Sequence, residues 1–157
     1  MDRGFNLITA GSIVAIIGLF GAIAATYVPQ LATNRLDQRG ILWFFSAMTA
    51  IGYFGLLVDS GWRLVFWVAL SLFGQAATFP LSLILVVLRS KSATETQSLS
   101  TMMQAIGYLI AATGPLLMGV LFHLTGEWVL GLAMMLGIVG LQAIAAAGAG
   151  RPGGVSG

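Results

Sequence analysis

Four polar side chains, Ser71, Gln75, Thr78 and Ser82, recur every three or four residues inside the charge-free stretch 64–88. A second set, Thr101, Gln104, Tyr108 and Pro115, recurs at spacings of three, four and seven inside the charge-free stretch 96–126. At about 100° per residue, each set falls within an arc of roughly 60° on a helix, so each forms one stripe. The chemistry these stripes offer is neutral hydrogen bonding: a glutamine carboxamide both donates and accepts, and a tyrosine adds a hydroxyl and a stacking face. Gln75, Gln104 and Tyr108 are therefore candidate contacts to a small solute, with Phe79, one turn beyond Gln75, as an apolar wall. Ser71, Thr78, Ser82 and Thr101 would line the same cavity. The alternative is that the stripes hold a helical bundle together through interhelical hydrogen bonds, at about 0.6 kcal/mol each. Ser46, Thr49 and Tyr53 form a weaker stripe that reads better as packing.

Other chemistries find little support. No Asp or Glu lies in any of the long charge-free stretches, the single histidine, His123, sits near the end of one, and there is no cysteine. Metal and acid–base catalysis need clustered His, Asp or Glu, so neither an enzyme, a metal site nor a cofactor is expected. Proton coupling within a membrane generally uses a carboxylate or histidine, so the main titrating group of a proton-coupled device would lie outside these stretches. Recognition here must rest on amide, hydroxyl and aromatic contacts, which suit a small polar or aromatic solute.

The elements that must position these residues follow from the charge pattern. Residues 4–34, 40–58, 64–88, 96–126 and 128–150 carry no charge, and 58% of the chain is hydrophobic against 8% charged. About 20 apolar residues rising about 1.5 Å each cross a hydrocarbon core of about 30 Å, so every stretch can span a bilayer as a helix. The sequence predicts an all-α integral membrane bundle over 1–148, with helices at about 7–28, 40–58, 64–88, 99–122 and 128–148, and a flexible cytoplasmic tail over 149–157. The first helix is expected to end at Pro29. Ala22, Ile23 and Ala24 resemble a secretory cleavage site, but the apolar run before them is long and lacks a basic start, so a membrane helix explains them better. The pI near 9.5 comes from seven Lys or Arg with no basic stripe, which argues against nucleic acid.

Five crossings leave the termini on opposite sides. Arg35, Arg39, Arg89, Lys91 and Arg151 then share one side, and Arg3 and Arg63 the other. The richer side is expected in the cytoplasm, with the N-terminus outside and the C-terminus inside. Pro80 and Pro115 fall within spans, where each removes a backbone donor and crowds the preceding turn. Gly107 and Gly114 keep the fourth helix narrow, so these four residues are candidates for a hinge or gate, against the plainer reading of an ordinary kinked membrane helix.

The run Gln104, Gly107, Tyr108, Ala111, Ala112, Gly114, Pro115, Gly119, Thr125, Gly126, Glu127 and Trp128, preceded by Phe79, Pro80, Leu81, Arg89, Leu99 and Ser100, resembles the C-terminal half of the major facilitator superfamily. It is similar in particular to the cyanate and nitroimidazole transporter branch. Pro29, Leu31, Ala32, Arg35, Asp37 and Arg39 resemble the short charged loop after the eighth helix of that superfamily. The resemblance implies that the five spans are helices eight to twelve and that the first, third and fourth line a cavity. It also implies that Arg35, Asp37 and Arg39 clamp helix ends on the cytoplasmic face, their alternative being a solvated loop that fixes topology. Such transporters move a small solute by rocking two halves about a midplane site. The chain is accordingly expected to be a fragment, with a missing N-terminal half or a partner chain completing it. A non-transporting subunit that packs through its small residues is the rival, and it would bury both glutamine stripes in protein contacts.

Overall fold

A computed structural model describes residues 7–33 and 37–151, which form five helices and no strand. These are α1 (Leu7–Thr33), α2 (Arg39–Val58), α3 (Arg63–Arg89), α4 (Ala93–Thr125) and α5 (Val129–Ala149). All five contain windows of mean hydropathy between 1.8 and 2.2 and are long enough to cross a membrane. Hydrocarbon offers no hydrogen bonds to a backbone, so an apolar chain that crosses it closes its own in a helix.

Two helix ends differ from the sequence expectation. α1 runs through Pro29 to Thr33 instead of stopping at the proline. The turn beyond it is anchored, because Ala32 is buried and its carbonyl accepts a bond from Gln38 Nε2 at 3.4 Å. α4 begins at Ala93, six residues before the expected start. There Ser92 Oγ accepts from the Glu95 N–H (3.2 Å) while Glu95 Oε2 accepts from the Lys91 N–H (2.7 Å), an arrangement close to a capping box that nucleates the helix outside the membrane. The resulting 33-residue rod is about 50 Å long, so its ends project beyond the hydrocarbon. It closes at Gly126, whose φ of 71° suits glycine and whose N–H bonds Phe122 O.

α3 lies at the centre, packed on α1 along one side and α2 along the other, and α2 also packs on α5. The α2–α3 contact is backbone-close. A Cβ on Gly52 would stand 2.6 Å from Ser71 N, and one on Gly74 would stand 2.6 Å from Phe45 O. Small residues at such crossings let dispersion contacts accumulate where the hydrophobic effect gives no help. The main core joins Ala24, Val28 and Ala32 of α1, Leu42 and Phe45 of α2, Ala77, Leu81 and Leu85 of α3, and Ala146 of α5. α4 is different: it touches only α3 and α5 appreciably and buries none of its residues.

Polar groups finish both ends of the bundle. At one end the Gln38 N–H donates to Gly150 O (3.3 Å), Arg89 Nη2 donates to Gln38 Oε1 (3.4 Å), and Arg89 also bonds the Arg151 carbonyl. The ends of α1, α3 and α5 and the start of α2 therefore meet at one face, the grouping that the charge tally anticipated for Arg39, Arg89 and Arg151. Gly150 and Arg151, expected to open a flexible tail, take part in this joint. At the other end Asp59 accepts from Trp67 Nε1 (3.0 Å) and Ser60 N–H (2.8 Å), and pairs with Arg63 (2.8 Å).

Candidate functional site

The third helix divides its polar stripe between two neighbours. Ser71 and Thr78 are 3% and 9% exposed. Their hydroxyls donate to Val68 O (3.0 Å) and Gly74 O (2.7 Å) of their own helix. Ser71 sits against Gly52, and Gly74, one turn before Thr78, sits against Thr49, so this side of α3 meets α2. Ser82, half-buried, bonds Phe79 O at 2.6 Å. Gln75 points elsewhere: with Leu72, Phe79 and Pro80 it lines an open groove of about 660 Å³ between α3 and α1, whose opposite wall includes Ile17 and Gly21.

Gln75 is the one polar side chain among the residues lining that groove. It is half-buried and makes no side-chain hydrogen bond among the described residues. A carboxamide in this state keeps two donors and an acceptor for a visitor. Phe79, about half exposed, stands one turn away on the same wall and offers a ring face.

The fourth-helix candidates stand apart from this groove, which α4 does not line. Gln104 is half-buried, while Thr101 and Tyr108 are exposed on a helix with no buried residue. Gly107 and Gly114 have open space around the position of a Cβ. α3 continues through Pro80 and α4 through Pro115 without interruption. At the proposed loop clamp, Asp37 Oδ1 accepts from the Arg39 N–H at 2.9 Å, a local turn bond, and Arg35 lies outside the described residues.

Three polar contacts were not anticipated from the sequence. Gln38, 4% exposed, ties α1 to Arg89 and Gly150, a role hidden because the surrounding charges drew the reading of that loop. Gln142 Nε2 donates to Ser46 Oγ at 3.2 Å, linking α5 to α2. The Trp67 indole holds Asp59, and this bond is the largest cause of a carboxyl pKa below the usual 3.8. The Ser60 N–H and the Arg63 guanidinium act in the same sense, and partial burial opposes them.

Five helices long and apolar enough to cross a membrane define the class as multi-pass membrane proteins. Comparison with known proteins gives the class its particular members. The chain is 34% identical over 152 residues to the uncharacterized transporter YycB of Bacillus subtilis, covering 96% of this chain and 38% of that protein. It is 36% identical over 128 residues to the 2-nitroimidazole transporter of Escherichia coli, covering 82% of this chain and 32% of the relative. To the cyanate transport protein CynX of Escherichia coli it is 29% identical over 145 residues, covering 92% and 38%. No family model and no solved structure matches. The chain is thus a homologue of membrane transporters of the cyanate and nitroimidazole kind, in line with the resemblance to the C-terminal half of the major facilitator superfamily. It spans between 32% and 38% of the length of these relatives.

Proposed function

We propose that this chain supplies one wall of a major facilitator transporter that carries a small solute across the cell membrane by alternating access. The observation that carries the reading is the similarity along 96% of the chain to a protein named as a transporter, with two further transporters among the relatives. The groove between α1 and α3 supports it, since a carboxamide with no side-chain partner among the described residues, set in an apolar wall, can fix a solute's orientation. In this reading Gln75 and Phe79 touch the solute from α3, and Gln104 and Tyr108, which stand apart from the α1–α3 groove, meet it from α4 at another point of its path. Ser71, Thr78, Ser82 and Thr101 shape the lining behind these contacts.

α4 carries its polar stripe on a helix that the other four leave uncovered. Its docking partner is then the opposing half, from sequence outside this chain or from a partner chain. Pro80, Gly107, Gly114 and Pro115 give α3 and α4 the bending that alternate opening requires. Arg35, Asp37 and Arg39 hold the cytoplasmic face, with the N-terminus outside and the C-terminus inside. The solute is a small polar or aromatic molecule, and cyanate and 2-nitroimidazole are the solutes named for two of the relatives.

Uptake by the full-length parent protein in vesicles tests this, with cyanate and 2-nitroimidazole as first substrates. Gln75→Ala and Gln104→Ala should each lower uptake at least tenfold, the loss expected when a buried solute group loses its only hydrogen-bond partner. Uptake unchanged in both variants would refute the site.

A further inference from the structure

On the side of α2 away from α3's glycine contact, a second groove of about 450 Å³ runs between α2 and α5. Its walls are apolar and mostly small: Trp43, Ala47 and Ala50 from α2, and Gly140, Ala143 and Ala147 from α5. Its polar floor is closed, because Ser46 and Gln142 bond each other. On α5 the lining runs from Leu136 to Ala147, about 16 Å of helix at about 1.5 Å per residue. That is close to half of the roughly 30 Å hydrocarbon thickness, so the groove is one leaflet deep.

The helix registers place a cation at the head of each wall. Arg39 precedes Trp43 by one turn on α2, and Arg151 lies two residues past the end of α5, four residues after Ala147. The two ends touch, since a Cβ on Gly150 would stand 2.8 Å from Arg39 N and 2.9 Å from its Cγ. Arg39 Nε is buried and makes no hydrogen bond among the described residues. Arg151 is exposed at the same end. Asp37, the carboxylate nearest in sequence, accepts from the Arg39 main-chain N–H, and against its single charge Arg39, Arg151 and the neighbouring Arg89 leave this end net positive. Trp43, 56% exposed at the mouth, has the amphipathic ring that favours headgroup level.

We infer that this groove is a binding site for an anionic phospholipid, one acyl chain lying between α2 and α5 and the headgroup phosphate meeting Arg39 and Arg151. Any outward groove in a bilayer is filled by some acyl chain, so selection comes from the cations at its head. Two arginines carried by the meeting ends of α2 and α5 put positive charge at the head of the groove, and basic pockets between membrane helices hold anionic headgroups in this way. The site is separate from the groove that holds Gln75 and does not depend on the transport reading.

The test reconstitutes the full-length protein in phosphatidylcholine vesicles containing phosphatidylglycerol as a minority lipid. Lipids retained after mild detergent extraction are then quantified by native mass spectrometry. Phosphatidylglycerol should be enriched over phosphatidylcholine. Arg39→Gln should lower the enrichment about fivefold and Arg39→Gln/Arg151→Gln tenfold or more, the order expected for arginines at an anionic lipid surface. Arg39→Lys/Arg151→Lys should keep most of it, which separates charge from a folding defect. Ala143→Phe, with the cations intact and the groove filled, should reduce retention of both lipids. Enrichment that survives loss of both arginines, or that falls equally in Arg63→Gln at the opposite end, would overturn the site. So would efficient cross-linking between copies carrying Ala47→Cys, which would mean that a second copy fills the groove.

Discussion

Gln75 shows how a residue's neighbours decide what its chemistry is for. Ser71, Thr78 and Gln75 share a narrow arc on α3, yet the two hydroxyls turn to their own backbone beside α2 while the carboxamide opens on the groove beside α1. Periodicity made the stripe legible but not its division, because an arc of roughly 60° cannot reveal that two helices flank it. Gln38 was illegible for another reason: its partners lie on α3 and beyond α5, far along the chain. Asp59 yields a test at this scale. Its lowered pKa means that the ionised form stabilises the native state fully above the usual 3.8, and that this contribution is lost as pH falls through the native value. Trp67→Phe removes the largest cause. Its melting temperature in detergent should fall below the parent's at neutral pH, and the gap should narrow in acid below pH 3.8. A gap independent of pH would show that the indole acts through packing alone.

Among the elements, the α2–α3 pair depends on glycines at positions where any side chain collides. Gly52→Ala and Gly74→Ala should each destabilise the bundle by about 1–3 kcal/mol, the usual cost of overpacking, as measured by unfolding in mixed micelles. Gly107→Ala and Gly114→Ala on α4, where the space is open, should leave stability within about 0.5 kcal/mol of the parent, or raise it slightly through helix propensity. Equal losses in all four would contradict the arrangement of α4 outside the packed core. The spans themselves were legible because twelve charges interrupt an otherwise apolar chain at intervals long enough for a helix to cross. The ends of α1 and α4 were not. Proline stops a helix only where nothing holds the next turn, and here tertiary contacts hold Ala32; Ser92 and Glu95 have the spacing of a capping box, which starts α4 before its charge-free stretch.

At the scale of the molecule, four helices share a core and a fifth stands against them with its polar stripe uncommitted. Large apolar side chains remain exposed on every helix, among them Leu19, Phe54, Phe66, Leu116 and Leu141, as expected where lipid or further protein is the surrounding medium. What the transport reading requires is that Gln75 and Gln104 meet one water-filled path. The chain contains no cysteine, so single thiols can be introduced at Gln75→Cys and Gln104→Cys in a cysteine-free full-length parent and probed with a membrane-impermeant, hydrophilic maleimide. Both positions should react from water, and a transported solute should protect both. Thiols at 75 and 104 that resist the hydrophilic reagent yet react with a lipid-soluble one would contradict a shared aqueous path and turn the two positions toward lipid.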